Sequence, residues 1–299
     1  MPFPLDDSRV LYHNACDCRL RKRITFMDLG AYLKRIGYTG TLAATLPVLR
    51  DIIFAHTCSI PFENLDILMG RHILLDTESL ESKLVRDCRG GYCFEQNALL
   101  LCVLRQIGFS VTPLSARVRL NTAREIVPPR THLFLSVEID GTPWLADVGV
   151  GGLSPTGPFQ LDVLDAEQLT PHEMRRIVCE PHRSSLRYFH QAKLGDNWVD
   201  IHEFTYETMP EIDREVGNWW TSTHANSKFR NHLFVALACP DGTRISIQNH
   251  AFNHRRGAEV LEQFEIIEFN QLLSVLRERF GIHLPINSTL SVPGISWLQ

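Results

Sequence analysis

RGGYCFEQNALLLCVLRQIGF, residues 89–109, leads a glycine pair and an aromatic residue into a cysteine that opens a long apolar run. The run predicts a helix from Cys93 to about Ile107, stopped by Gly108, since glycine accepts the left-handed turn that ends helices. Cys93 then sits in the first turn, where serine or aspartate would cap better. A thiol there faces backbone N–H groups with no acceptor inside the helix. Those amides and the helix dipole favour a thiolate. The same amides suit an oxyanion formed when the thiolate attacks a carbonyl. Gly90 and Gly91 leave room for backbone and substrate to approach closely. The local pattern alone has two readings: a nucleophile, or a buried cysteine behind a glycine turn.

Upstream the pattern is helical. Thr25 or Asp28 caps a helix carrying Leu29, Leu33 and Ile36, with Gly37 as its stop. Leu46, Leu49, Ile53 and Phe54 line a second helix, and PFENLDIL (61–68) reads as a proline-led turn into a short extended piece. Asp76 or Thr77 caps a third helix with Leu80, Leu84 and Val85 as its stripe. Downstream the period changes. Short β-rich runs separated by turn residues extend to about residue 206, with Asp140-Gly141 as a hairpin signal, and they predict an antiparallel barrel or curled sheet. MPEIDREVGNWWTSTHANSKF (209–229) reads as a connection, part of it helical. Then come two strands around PDG (240–242) and a helix lined by Leu272, Leu273, Leu276 and Phe280. The order is helical, then β, then mixed: an α+β chain.

The barrel region offers a base and an orienter for Cys93. His132 begins one apolar strand and Asp147 ends the next, so the hairpin between them places both side chains at one level. A histidine and a carboxylate so placed share a hydrogen bond that holds the imidazole tautomer. Taken singly, each also reads as a satisfied core histidine or a turn aspartate. Glu63 and Arg89 flank the Cys93 turn and are read as a bidentate ion pair that pins the loop, or as unrelated surface charges.

Bulk properties narrow the function classes. A net charge of -4 argues against a nucleic-acid partner. No apolar run is long enough to span a bilayer. The N-terminal basic cluster RLRKR follows its apolar residues, the reverse of a secretory signal, so a cytoplasmic location is expected. The eight cysteines show no disulfide framework and are expected to be reduced. HNACDC (13–18) lacks a second ligand pair at zinc-finger spacing, so no metal is expected. GVGGLSP (149–155) is not a phosphate loop, because no lysine follows. No oligomeric state is read from the sequence.

PFENLDIL, RGGYCFEQNALL, PPRTHLFL, WLADVGVGG and NWWTSTHANSKF, in this order over about residues 25–285, resemble the arylamine N-acetyltransferases, and the bacterial members most closely. The resemblance implies a Cys93-His132-Asp147 triad in a cysteine-protease-like core, and a structural ion pair between Glu63 and Arg89. It implies a helical bundle (25–108), an antiparallel β-barrel (109–207) and an α/β lid (208–299), preceded by an N-terminal extension (1–24). It implies acetyl-CoA as co-substrate and ping-pong transfer through an acetyl-cysteine to arylamines and arylhydrazines, with O-acetylation of N-hydroxyarylamines. Thr131, Gly149, Gly151 and Gly152 are the expected coenzyme A contacts. Ser222 and Thr223, with Ser227 and Lys228 nearby, are expected to join them or to form an ordinary polar loop. Two departures stand out. Val150 occupies a position near the acceptor pocket where the family often has an aromatic ring, and residues 1–24 precede the usual bacterial start. The alternative for the same triad is a cysteine amidase or hydrolase, with water as acyl acceptor; a catalytically silent binding protein is the non-enzyme reading.

Overall fold

The computed structural model describes residues 26–183, 185–285 and 288–298. The N-terminal extension, with His13, Cys16 and Cys18, lies outside the described residues. Asp28 starts α1 (Leu29–Ile36) by accepting the Ala31 N–H at 2.9 Å, and Gly37, left-handed at φ 70°, stops it. α2 (Leu46–Ser59) carries a proline in its first turn, where the missing N–H costs nothing. The next stretch differs from the expected extended piece. β1 (Phe62–Glu63) is extended, but Leu65–Leu68 closes a helical turn, α3. Asp76 caps α4 (Thr77–Leu80), its Oδ1 accepting the Ser79 N–H at 2.9 Å. The chain then widens into a π-helical turn over Glu81–Arg86. α5 (Cys93–Ile107) ends at Gly108 as predicted, and every residue from Cys93 to Leu101 is buried. It is a core helix, which explains the apolar run from Ala98 to Leu104.

β2 (Ser110–Val118), β3 (His132–Ile139), β4 (Thr142–Ala146), β5 (Phe159–Gln160), β6 (Gln168–Leu169), β7 (Met174–His182), β8 (Ser185–Leu194) and β9 (Asn197–Thr208) form one antiparallel sheet. Its order is β5-β4-β3-β2-β9-β8-β7-β6. The sheet curls until its edges meet. The Gln168 amide accepts the Gln160 N–H at 2.7 Å and donates to the Gln160 carbonyl at 3.0 Å, so one side chain bridges the two edge strands. Asp140 and Gly141 both have positive φ, 52° and 76°, the type I′ combination that suits twisted strands.

Register then decides which residues meet. β3 and β4 pair through Leu135↔Ala146, so Asp147, one residue further on, stands opposite Phe134 and diagonal to His132. Opposed residues share a face, and alternate residues along a strand return to it. His132 pairs with Ala116 on β2, Ala116 with Phe204 on β9, and His202 with His190 on β8. His132, Phe134, Asp147, His202, Phe204 and His190 therefore all face the barrel interior, where they are buried.

α6 (Glu211–Thr223) and α7 (Lys228–Asn231) connect the barrel to a second sheet. That sheet holds β10 (Phe234–Ala238), β11 (Arg244–Gln248), β12 (Ala251–Arg256) and β13 (Glu259–Glu265), with β1 on its far edge beside β10. Two strands were expected here and four are present. Asn249, at φ 56°, makes a tight turn inside what reads as one run, and β13 is mostly exposed, so neither leaves a strong hydrophobic signal. α8 (Phe269–Phe280) packs on this sheet through Leu272, Val275, Leu276 and Phe280; Val275 takes the buried place expected for Leu273. No helix of the described residues is long and apolar enough to cross a membrane.

Candidate active site

The RGGYC turn is pinned from below. Gly91 N–H donates to the Pro61 carbonyl at 3.2 Å, and Glu63 N–H donates to the Gly91 carbonyl at 3.1 Å. A Cβ on Gly90 would stand 2.0 Å from the Pro61 oxygen, and one on Gly91 would stand 2.8 Å from the Glu95 side chain. Of the expected approach by backbone and substrate, both glycines make room for the protein's own chain: the Pro61 backbone at Gly90 and the Glu95 side chain at Gly91. Glu95, in the first turn of α5, accepts the Tyr92 N–H at 3.1 Å, and its other oxygen meets Lys83 Nζ at 2.7 Å. Arg89 Nη2 and Nε reach Glu63 at 2.7 and 3.1 Å, but both land on Oε1. Glu63 Oε2 instead accepts the Leu65 N–H at 2.7 Å, so the pair forms without the expected two-oxygen fork. Asp66, 3.3 Å from Arg89 and 2.8 Å from Lys83, extends the cluster.

This turn sets the Cys93 side chain against the strand that carries His132. Cys93 Sγ lies 3.7 Å from the Thr131 carbonyl, and its residue is only 3% exposed. His132 Nε2 meets Asp147 Oδ2 at 2.7 Å. That leaves Nδ1 on the side of the ring away from Asp147, and Cys93 also acts on the imidazole. Burial alone pulls His132 down, but Asp147 and then Cys93 outweigh it and raise the imidazole to about 10. Burial opposes ionisation of Asp147 too, yet His132 holds that carboxyl well below the usual range. The thiol of Cys93, a raised imidazole and a depressed carboxyl thus sit together.

A cavity of about 340 Å³ opens beside Thr131, lined also by Ser115, Met209, Gly217 and Trp220. The expected coenzyme contacts are placed unevenly. A Cβ on Gly149 would lie 2.6 Å from Asn97 Nδ2 and 2.8 Å from Cys93 Cα, so this glycine allows β4's end to pack on α5. Gly151 has φ +88° and faces the Phe62 ring, and Gly152 faces open space. Val150 is half-buried on the same turn, its N–H held by Ser154 Oγ at 2.9 Å, and it does not line the cavity. The Ser222 hydroxyl donates to Asn218 within α6 at 2.7 Å, and Thr223 donates to Trp219.

A family model described as N-acetyltransferase matches residues 45–289. The arylamine N-acetyltransferase of Escherichia coli (strain K12) is 39% identical over 254 residues, 85% of this chain and 88% of that one. The chain belongs to the arylamine N-acetyltransferase family. A relative from Salmonella typhimurium, named arylamine N-acetyltransferase / N-hydroxyarylamine O-acetyltransferase, is 37% identical over 85% of this chain and 88% of its own. The solved arylamine N-acetyltransferase of Salmonella typhimurium matches at TM-score 0.80 and 34% identity, covering 88% of this chain and 94% of that one. The Mycobacterium marinum enzyme in complex with CoA matches at TM-score 0.79 and 37% identity, covering 85% and 93%.

Two residues at the centre of this family member's site escaped the sequence reading. Asn97 lies one helical turn after Cys93 on α5. Its Nδ2 donates to Asp147 Oδ1 at 2.9 Å and to the Leu133 carbonyl at 2.7 Å, while its Oδ1 accepts the Val148 N–H at 3.0 Å. The i, i+4 spacing from Cys93 was the available signal. His202 Nε2 stands 3.5 Å from Asp147 Oδ2, and nothing local in NWVDIHEF marks it, because only sheet order brings it there. Asn97→Ala is expected to leave a buried carboxylate oxygen, a carbonyl and an N–H short of partners. Stability should fall by about 2–4 kcal/mol, read from the urea midpoint at unchanged slope.

Proposed function

We propose that the chain is an acetyl-CoA-dependent arylamine N-acetyltransferase that works by ping-pong transfer through an acetyl-cysteine. The observation that carries this is Cys93 at the start of a core helix, close to a His132-Asp147 pair and 3.7 Å from the carbonyl of Thr131, which lines a cavity. The Cys93 thiolate attacks the thioester carbon of acetyl-CoA, the bond to the coenzyme sulfur breaks, and His132 gives its proton to the departing CoA thiolate. First-turn amides of α5 are suited to the oxyanion between these events. An arylamine nitrogen then attacks the acetyl carbon, neutral His132 takes its proton, and Cys93 leaves as thiolate. Asp147 keeps the imidazole oriented through both halves. Aromatic amines suit such a site because they are largely unprotonated at neutral pH. Arylhydrazines share that property, and the Salmonella relative's name supports O-acetylation of N-hydroxyarylamines as a further activity.

Thr131, Gly149, Gly151, Gly152, Ser222 and Thr223 are proposed as the coenzyme side of the cleft; Thr131 at the cavity and Gly152 facing open space are the best placed. The reducing cytoplasm suits a catalytic thiol that must stay unoxidised.

Mass spectrometry after mixing with acetyl-CoA alone tests the route. One acetyl group is expected on the Cys93 peptide, persisting until an arylamine discharges it as its N-acetyl product. Rapid release of free acetate with no amine required would instead favour the hydrolase. Val150 lies outside the cavity lining but next to Gly149, where an added Cβ would meet Cys93 Cα at 2.8 Å, so Val150→Phe is expected to crowd the turn beside Cys93. The kcat/KM for bicyclic amines should drop about tenfold more than for monocyclic ones in an acceptor panel.

A further inference from the structure

Behind Asp147 the barrel interior holds a line of buried nitrogen groups that the transfer chemistry does not use. His202 Nε2 is 3.5 Å from Asp147 Oδ2 and 3.1 Å from His190 Nδ1. His190 Nε2 is 3.3 Å from Arg175 Nη1. All four side chains are fully buried. The guanidinium cannot turn away, because Glu173 Oε2 holds its Nη2 at 2.9 Å and the Leu153 carbonyl holds its Nη1 at 3.0 Å. Nor do the imidazoles flip freely: His190 packs 4.9 Å from the Phe159 ring, and His202 packs 4.9 Å from Phe134 and 5.2 Å from His132.

Read outward from the guanidinium, these contacts imply an order of protons. A guanidinium nitrogen only donates. His190 Nε2 must therefore accept, and a neutral His190 carries its proton on Nδ1. That proton points at His202 Nε2, which must then accept as well. His202 in turn carries its own proton on Nδ1, the ring nitrogen that has no partner and is buried. The opposite arrangement would set an N–H of His190 against an N–H of a buried cation. Burial keeps both rings neutral: it pulls His202 to about 4 and His190 well below its ordinary value. Arg175, lowered by burial only to about 10, stays charged at neutral pH. Asp147, His132 and Arg175 act on the two rings by charge, and Asp147 also pulls His202 upward as a competing hydrogen-bond partner, so Arg175 and Asp147 draw the His202 Nε2 in opposite senses.

We propose that Arg175, acting through His190, fixes the tautomer of His202 so that its Nε2 offers Asp147 no proton, which leaves Asp147 Oδ2 to His132 alone. Asp147 Oδ1 already accepts from Asn97 and from the Gly149 N–H, each at 2.9 Å. A further donor on Oδ2 would compete with His132 and weaken the hold that raises its basicity. Arg175, His190 and His202 are in this sense positioning residues. The consequence for catalysis rests on the triad proposed above, whereas the tautomer does not.

Two measurements test this and can fail separately. Nitrogen-15 spectra of histidine-labelled wild-type protein at neutral pH, assigned with His202→Gln, read the tautomer directly. Nδ1 of His202 is expected to be protonated and Nε2 not; a protonated Nε2 would overturn the proposal whatever the triad does. The second is the pH profile of the acetyl-CoA half-reaction. In His190→Phe the relay is cut, His202 is free to protonate Nε2 and donate to Asp147, and the upper limb should move to lower pH by about one unit. His190→Phe with His202→Phe should move it back, because the competing donor is gone. Coincident profiles for the single and double variants, both folded by circular dichroism, would also overturn it. A cavity-making structural role alone would not produce that reversal.

Discussion

Cys93→Ala is expected to abolish acetyl transfer, with kcat/KM for any arylamine falling by about 10⁴-fold or more, as removal of a nucleophile from a linked triad does. Binding need not fall with it. The cavity beside Thr131 and the Gly149–Gly152 turn remain, so the variant should still bind CoA in a calorimetric titration. Cys93→Ser separates thiol chemistry from space. A serine hydroxyl has nearly the right size, but the His132 imidazolium does not ionise it at neutral pH, so its rate should stay within about tenfold of the alanine variant. A serine variant that keeps a tenth or more of wild-type turnover would rule out Cys93 as the nucleophile.

The second large effect belongs to Asp147→Asn. Shape is preserved, but the charge that raises His132 is removed while burial, which lowers it, stays. The imidazole should fall below its ordinary 6.5, leaving it neutral at pH 7 with no positive partner for the thiolate. Turnover should drop about 10⁴-fold, the scale seen when a triad carboxylate becomes an amide. Iodoacetamide labelling of Cys93 at pH 6–7 should slow markedly in the variant. Stability carries a matching signature. His132 is raised in the folded chain, so its contribution is complete below 6.5 and is lost as pH rises toward about 10. Asp147 is depressed, so its contribution is present above the ordinary carboxylate range and is lost as pH falls through its folded value. Wild-type Tm should therefore decline between pH 7 and 10, and the asparagine variant should lack that decline. Equal alkaline slopes for the two proteins would contradict the ion pair.

Much of this candidate site is legible in the sequence. A cysteine in place of a good cap, a histidine at a strand's start and an aspartate at the end of the next, joined by Asp-Gly, are local patterns. The hairpin register that makes His132 and Asp147 diagonal neighbours follows from a two-residue turn. Other features are not local. Gly90 and Gly91 signal a close approach, but which groups approach is set elsewhere in the chain: the atoms that would clash with a Cβ belong to Pro61, Glu63 and Glu95. The second sheet was underread because β1 joins it from within the helical region, and β13 exposes most of its side chains. The Glu63-Arg89 pair was anticipated, but the diversion of Glu63 Oε2 to Leu65 N–H depends on α3 turning where an extended segment was expected.

Residue order, then, settles what depends on near neighbours: the helix that ends at Gly108, the type I′ hairpin, the thiol at a helix start, and the histidine and aspartate that the hairpin brings to one level. Tertiary packing decides which distant groups share the barrel interior and where their protons lie. His202 faces Asp147 only because β9 lies beside β2, and its tautomer follows from Arg175 two strands further on. A hydrogen bond's direction depends on every donor and acceptor along the chain of contacts. In a buried line with a fixed cation at one end, that direction is a property of the whole barrel.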